Sequence, residues 1–107
     1  MVAIFTGRTA LVTGAATGIG RATALALAAE GARMWINHRD RHDLANQLVE
    51  QITANGGDAW TIEADVSDPA AVAAMFETIE AHGPLELLVN NAGVILEIGR
   101  ASCRERV

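Results

Sequence analysis

The chain has 107 residues, half of them apolar and only 4% aromatic, with a formal net charge of −5. That mix excludes a disordered chain and suits one small α/β domain or part of a larger one. Its arginines are scattered with no basic face, so neither nucleic acid nor an anionic membrane is expected as a partner.

In chain order, TALVTG (Thr9 to Gly14) reads as a short buried strand ending in glycine. Ile19 to Glu30 is rich in Ala and Leu and reads as a helix closed by Gly31. ARMWIN is a second strand. Asp40 then caps a helix that carries Leu44, Leu48 and Ile52 on one face and stops at Asn55, Gly56 and Gly57. DAWTIEADV is a third strand. In the next segment Asp68 takes the N-cap, Pro69 the first helical position, and Gly83 lies past the end. Val72, Met75, Phe76 and Ile79 form that helix's apolar stripe, a face for packing on a sheet rather than a ligand box. LELLVNNAG is a fourth strand running into a loop.

This β-α-β-α-β-α-β alternation predicts an α/β fold of three layers, with a parallel sheet between helices. Right-handed crossovers put the first two helices on one face. A reversal after strand three gives the order 3-2-1-4 and places the third helix on the other face. A ligand crevice then opens between strands one and four at their carboxyl ends.

The stretch TGAATGIG occupies that crevice, between the first strand and the first helix. Gly14 permits a sharp turn, Gly18 lets backbone approach a pyrophosphate, and Gly20 lets the helix pack closely. The helix N-terminus offers N–H donors and a positive dipole end to phosphates. Each such contact is worth roughly 0.3–1 kcal/mol, so several must act together.

Thr13-Gly14-Ala15-Ala16-Thr17-Gly18-Ile19-Gly20 resembles the Thr-Gly-x-x-x-Gly-x-Gly motif of the classical short-chain dehydrogenase/reductase family. Asp65-Val66 and Asn90-Asn91-Ala92-Gly93 resemble that family's Asp-Val after strand three and Asn-Asn-Ala-Gly after strand four. The likeness runs from Thr9 to about Leu96. INHR and GGDAWTIEADVSDP are similar to bacterial 3-oxoacyl-carrier-protein reductases and glucose-dehydrogenase-like members. The resemblance implies an incomplete Rossmann fold and a nicotinamide dinucleotide as cofactor. It implies that Thr13 to Ile19 hold the pyrophosphate and that Asp65 accepts from the adenine amino group beside Val66. Asn90, Asn91, Ala92 and Gly93 would line the adenosine side; as plain loop residues, the two asparagines would bond local backbone instead.

In this family an acid that selects NAD falls where this chain has His38, followed by Arg39. Loss of the acid and gain of a cation that can pair with a 2′-phosphate point to NADP over NAD. Asp40 is within reach of the ribose in sequence, but capping accounts for it without a ligand.

The family's chemistry needs a serine, and a tyrosine and a lysine four residues apart on a later helix; the tyrosine is the general acid. This chain contains no Tyr and no Lys, and Ser102 comes too soon after the Asn-Asn-Ala-Gly loop to be that serine. No catalytic residue is therefore assigned. The resemblance implies a homo-oligomeric parent that transfers hydride between the nicotinamide and a small carbonyl or alcohol. This chain would be its cofactor-binding fragment, inactive alone, with strand four an exposed edge and marginal stability. The alternatives are a non-catalytic nucleotide-binding module and a partner subunit using that edge.

A single cysteine excludes an internal disulfide framework. His38, His42 and His82 lack ligand spacing and read as solvated imidazoles, so no metal site is expected. The start, MVAIFTGR, is not a signal peptide and no apolar run reaches membrane-spanning length, so a cytoplasmic location is expected. Residues 1–96 read as the NAD(P)-binding half-domain. Residues 97–107, EIGRASCRERV, can be encoded by a string resembling a sequencing-library adapter, and read as a non-native tail.

Overall fold

The computed structural model describes residues 4–90 and the backbone of 94–97. Strands β1 (Thr9–Val12), β2 (Arg33–His38), β3 (Ala59–Glu63) and β4 (Leu87–Asn90) form a parallel sheet in the order β3-β2-β1-β4. Helices α1 (Gly18–Ala29), α2 (His42–Ala54) and α3 (Pro69–Glu80) make the crossovers. This is the incomplete Rossmann-like arrangement that the alternation predicts.

Side chains alternate across the sheet, and that alternation builds two cores. Ala10, Val12, Met34 and Ile36 pack under Ala24 and Leu27 of α1 and Ala45, Leu48 and Ile52 of α2. Leu11, Trp35 and Leu88 face Val72, Met75, Phe76 and Ile79 of α3. The first two helices thus share one face and the third covers the other. Phe76 is fully buried, which stabilises the α3 layer by about 1.5–3 kcal/mol. Helix α3 begins as its punctuation dictates: Asp68 Oδ1 accepts from Ala70 N at 3.0 Å, with Pro69 at the first position.

Three expectations need correction. The β4 edge is not open, because β5 (Val94–Glu97) pairs with it antiparallel, Leu87 opposite Glu97 and Asn90 opposite Val94. An uncovered strand edge is a row of unpaired donors and acceptors, and the nearest chain segment satisfies it. Asp40 does not cap α2; it adopts φ 54°, a left-handed conformation that Asp tolerates, and Arg41 takes the N-cap position. His38 is not a solvated imidazole but is 2% exposed, beneath the start of α2. His42 and His82 are at the surface as expected. Among the described residues no helix is long and apolar enough to cross a membrane, and no group of three or more His, Cys, Asp or Glu could hold a metal.

Candidate functional site

The register fixes the site's floor. Val12 pairs with Ile36 on one side and Val89 on the other, while His38 pairs with Glu63. All four parallel strands therefore end at one edge. The turn from Thr13 to Thr17, the loop 39–41, Asp65 and Asn90 all gather there.

The turn from β1 to α1 is built from small residues held by backbone. Thr13 N donates to Val89 O at 3.0 Å, and its hydroxyl lies 3.5 Å from the same carbonyl, so that side chain faces β4. Gly14 and Gly18 both have φ 60°, in the region that a side chain disfavours. A Cβ on Gly18 would meet nothing within 4 Å, whereas one on Gly20 would lie 2.5 Å from Gly14 O and 3.1 Å from Ala15 Cα. Gly18 thus presents open backbone, and Gly20 is the place where α1 presses on the turn.

Thr17 is the N-cap of α1 in an extended conformation, makes no side-chain capping bond, and no acid follows in the first turn. The first N–H groups of a helix have no intrahelical partner. Those of Gly18, Ile19 and Gly20 are therefore offered outward at the positive end of the dipole. Ile19 stands beside them 79% exposed, apolar surface that gains from being covered. These features fit an anionic, partly apolar ligand such as a dinucleotide pyrophosphate.

On the other side of β1, the ends of β2 and β3 carry charge. Arg39 Nη1 lies 3.4 Å from Asp65 Oδ2. Asp65 Oδ1 accepts from Ser67 Oγ at 2.6 Å and Ser67 N at 2.9 Å. The Ser67 hydroxyl, the Ser67 N–H and the Arg39 guanidinium together hold the Asp65 carboxyl below its usual range. Val66 next to it is 44% exposed.

His38 is turned toward the start of α2. Its Nδ1 accepts from Arg41 N at 3.2 Å, so the ring satisfies a donor at the start of α2 and Nδ1 carries no proton. His38 Nε2 has no partner among the described residues. Burial, then the neighbouring His42, push the imidazole below its ordinary value of 6.5, against opposite pulls from Glu63 and Asp40.

The structure thus brings together the turn residues, Arg39, Asp65 and Val66, and places Asn90 at the end of β4 with its side chain partly buried. Asn91, Ala92 and Gly93 lie outside the described residues. One residue escaped sequence reasoning. Asn37 is 2% exposed and its side-chain oxygen accepts from Gly14 N at 3.0 Å. The signal for it was an Asn inside the apolar strand MWINH, where strands disfavour that residue. A cavity of about 540 Å³ lies at the opposite end of the sheet, lined by Thr6, Gly31, Ile52, Gly57 and Asp58 among others, and shares none of these groups.

A family model described as short chain dehydrogenase matches residues 8–105. The chain belongs to the short-chain dehydrogenase family. It is 48% identical over 90 residues to versicolorin reductase 1 of Aspergillus parasiticus, covering 83% of this chain and 34% of that protein. It is 46% identical over 88 residues to the 3-oxoacyl-(acyl-carrier-protein) reductase FabG of Staphylococcus aureus, covering 81% and 36%. Among solved structures, a short chain dehydrogenase from Burkholderia cenocepacia in complex with NADP superposes with a TM-score of 0.76 at 41% identity, covering 80% of this chain and 36% of that one. This short-chain dehydrogenase chain therefore spans about a third of the length of the relatives it matches.

Proposed function

We propose that this chain is the cofactor-binding part of an NADP(H)-dependent short-chain oxidoreductase. The observation that carries the reading is the uncapped N-terminus of α1, with open backbone at Gly18 and the Arg39 guanidinium on the neighbouring strand end. In it, the N–H groups of Gly18 to Gly20 and the Thr17 hydroxyl bind the pyrophosphate, and Ile19 covers it. Thr13 and Gly14 hold the turn in place. Arg39, with His38 fixing the loop beneath it, pairs with the 2′-phosphate that distinguishes NADP from NAD. Asp65 accepts from the adenine amino group, Val66 packs beside the ring, and Asn90 to Gly93 line the adenosine side.

The bound nicotinamide supplies or accepts the hydride. The residues described above bind and orient; none holds a proton at a reacting carbonyl. With neither Tyr nor Lys in 107 residues, the chain by itself is read as inactive. The same reading makes the parent a cytoplasmic homo-oligomer that acts on a small carbonyl or alcohol. It also keeps residues 1–96 as the half-domain and 97–107 as non-native, which the source nucleotides would decide.

Titrating the chain with NADPH and NADH by intrinsic tryptophan fluorescence tests the cofactor assignment. NADPH is expected to bind more tightly, and Arg39→Ala to shrink the difference about tenfold, as for loss of one charge-assisted contact. An unchanged preference in Arg39→Ala would overturn the assignment to NADP.

A further inference from the structure

We propose that Asn37 is a positioning residue that ties the phosphate turn to the adenine-side loop, so that both halves of the nucleotide site are set by one buried amide. This rests on reading the Gly14 to Gly20 turn as a phosphate site. The side-chain oxygen of Asn37 accepts from Gly14 N at 3.0 Å, and its backbone carbonyl accepts from Ala15 N at 2.9 Å. Its side-chain nitrogen donates in the opposite direction, to Ala64 O at 3.2 Å and Ile62 O at 3.4 Å, with Met75 Sδ at 3.5 Å. Ala64 precedes Asp65 in the chain, and its own N–H is held by His38 O at 3.0 Å.

The Asn37 side chain thus bonds both to the glycine turn and to the end of β3. The chemistry explains why an amide is needed. Gly14 offers a donor, whereas Ala64 and Ile62 offer acceptors. Only a group with both functions satisfies the two sides at once. In a 2% exposed position, losing either function removes a backbone bond where water has little access to replace it. Since Gly14 sits at φ 60°, its orientation is not fixed by ordinary strand geometry and depends on such a partner.

Two variants of the full chain separate this role from simple packing. Asn37→Leu keeps the shape and removes both functions. Asn37→Asp keeps the acceptor for Gly14 but supplies a donor to Ala64 only when protonated. Backbone amide exchange of the ligand-free chain is expected to show faster exchange at Gly14 in Asn37→Leu, together with shifted resonances at both Ala15 and Asp65 to Ser67. Affinity for NADPH is expected to fall about tenfold in Asn37→Leu. Asn37→Asp is expected to be weak at pH 8 and to recover toward the unsubstituted chain as pH falls to about 5, compared at each pH.

Shifts confined to one side of Asn37, or NADPH affinity within about twofold of the unsubstituted chain in Asn37→Leu, would overturn the proposal. If Asn37→Leu does not fold, the pH profile of Asn37→Asp decides alone, and a profile parallel to that of the unsubstituted chain counts against it. Failure of the unsubstituted chain to bind NADPH, with the exchange coupling intact, would instead overturn the phosphate-site reading beneath it.

Discussion

Two of the strand-to-helix junctions at the carboxyl edge of the sheet, β1–α1 and β2–α2, differ in how they treat the helix they start. The β1–α1 junction is made of Gly, Ala and Thr, with no side-chain cap and no acid in the first turn of α1. The β2–α2 junction is closed by its own side chains. His38 Nδ1 takes the Arg41 N–H, Glu63 Oε2 takes the Asp40 N–H at 3.2 Å, and Asp43 sits in the first turn of α2. Both helices have the same dipole and the same unpaired donors. Neither helix has a side-chain cap, but side chains hold the Asp40 and Arg41 N–H groups just before α2 and an acid stands in its first turn, whereas α1 has neither among the described residues. Helix α3 shows the other solution, its start satisfied within the chain by Asp68 Oδ1 accepting from Ala70 N.

The sharpest way to break that contrast is to crowd the open junction. Gly20→Ala places a Cβ 2.5 Å from Gly14 O, against backbone that cannot yield cheaply. It is expected to cost about 2–3 kcal/mol in urea unfolding and to abolish NADPH binding. Wild-type stability in that variant would mean that α1 does not press on the turn as described.

The closed junction is expected to answer the opposite way. His38→Ala removes a buried ring and the partner of the Arg41 N–H, and should cost about 1–2 kcal/mol by the same measurement. Its loss of NADPH affinity should be smaller than its loss of stability, because His38 acts on the loop beneath Arg39. A variant that keeps its stability but loses binding would reverse the roles assigned to the two junctions.

The same histidine gives a pH signature. Its neutral form is favoured in the folded chain, so the unfolded chain takes up a proton first as pH falls. The stabilisation is complete above pH 6.5 and is lost as pH falls from 6.5 toward the depressed folded value. Unfolding midpoints measured from pH 8 to 5 should decline in the parent and decline less in His38→Ala. Parallel curves would assign the decline to other groups.

The smallest effect is expected at the ion pair that links the ends of β2 and β3. Arg39 is 68% exposed in its ion pair with Asp65, and exposed pairs contribute little. Arg39→Ala should leave the unfolding midpoint nearly unchanged while it shifts cofactor preference. A large loss of stability would make the pair structural instead.

Much of the frame was legible because local chemistry sets it. Asp68 and Pro69 start α3 by hydrogen bonding and fixed φ, whatever lies beyond. The spacing of Val72, Met75, Phe76 and Ile79 declares a buried stripe. The motif TGAATGIG, set between a strand and a helix, located the open junction and the family. Asp40 misled because Asp suits both an N-cap and a left-handed turn, and only the path from β2 into α2 chooses between them.

The sequence by itself determined the alternation of strands and helices, the two faces of the sheet and the glycine turn, since each follows from residue spacing and backbone freedom. Tertiary structure decided what register alone can bring together. It buried His38 under α2, paired β5 with β4, and set Asn37 between Gly14 and Ala64. Those outcomes depend on neighbours far along the chain, whose donors and acceptors become partners only once the strands lie side by side.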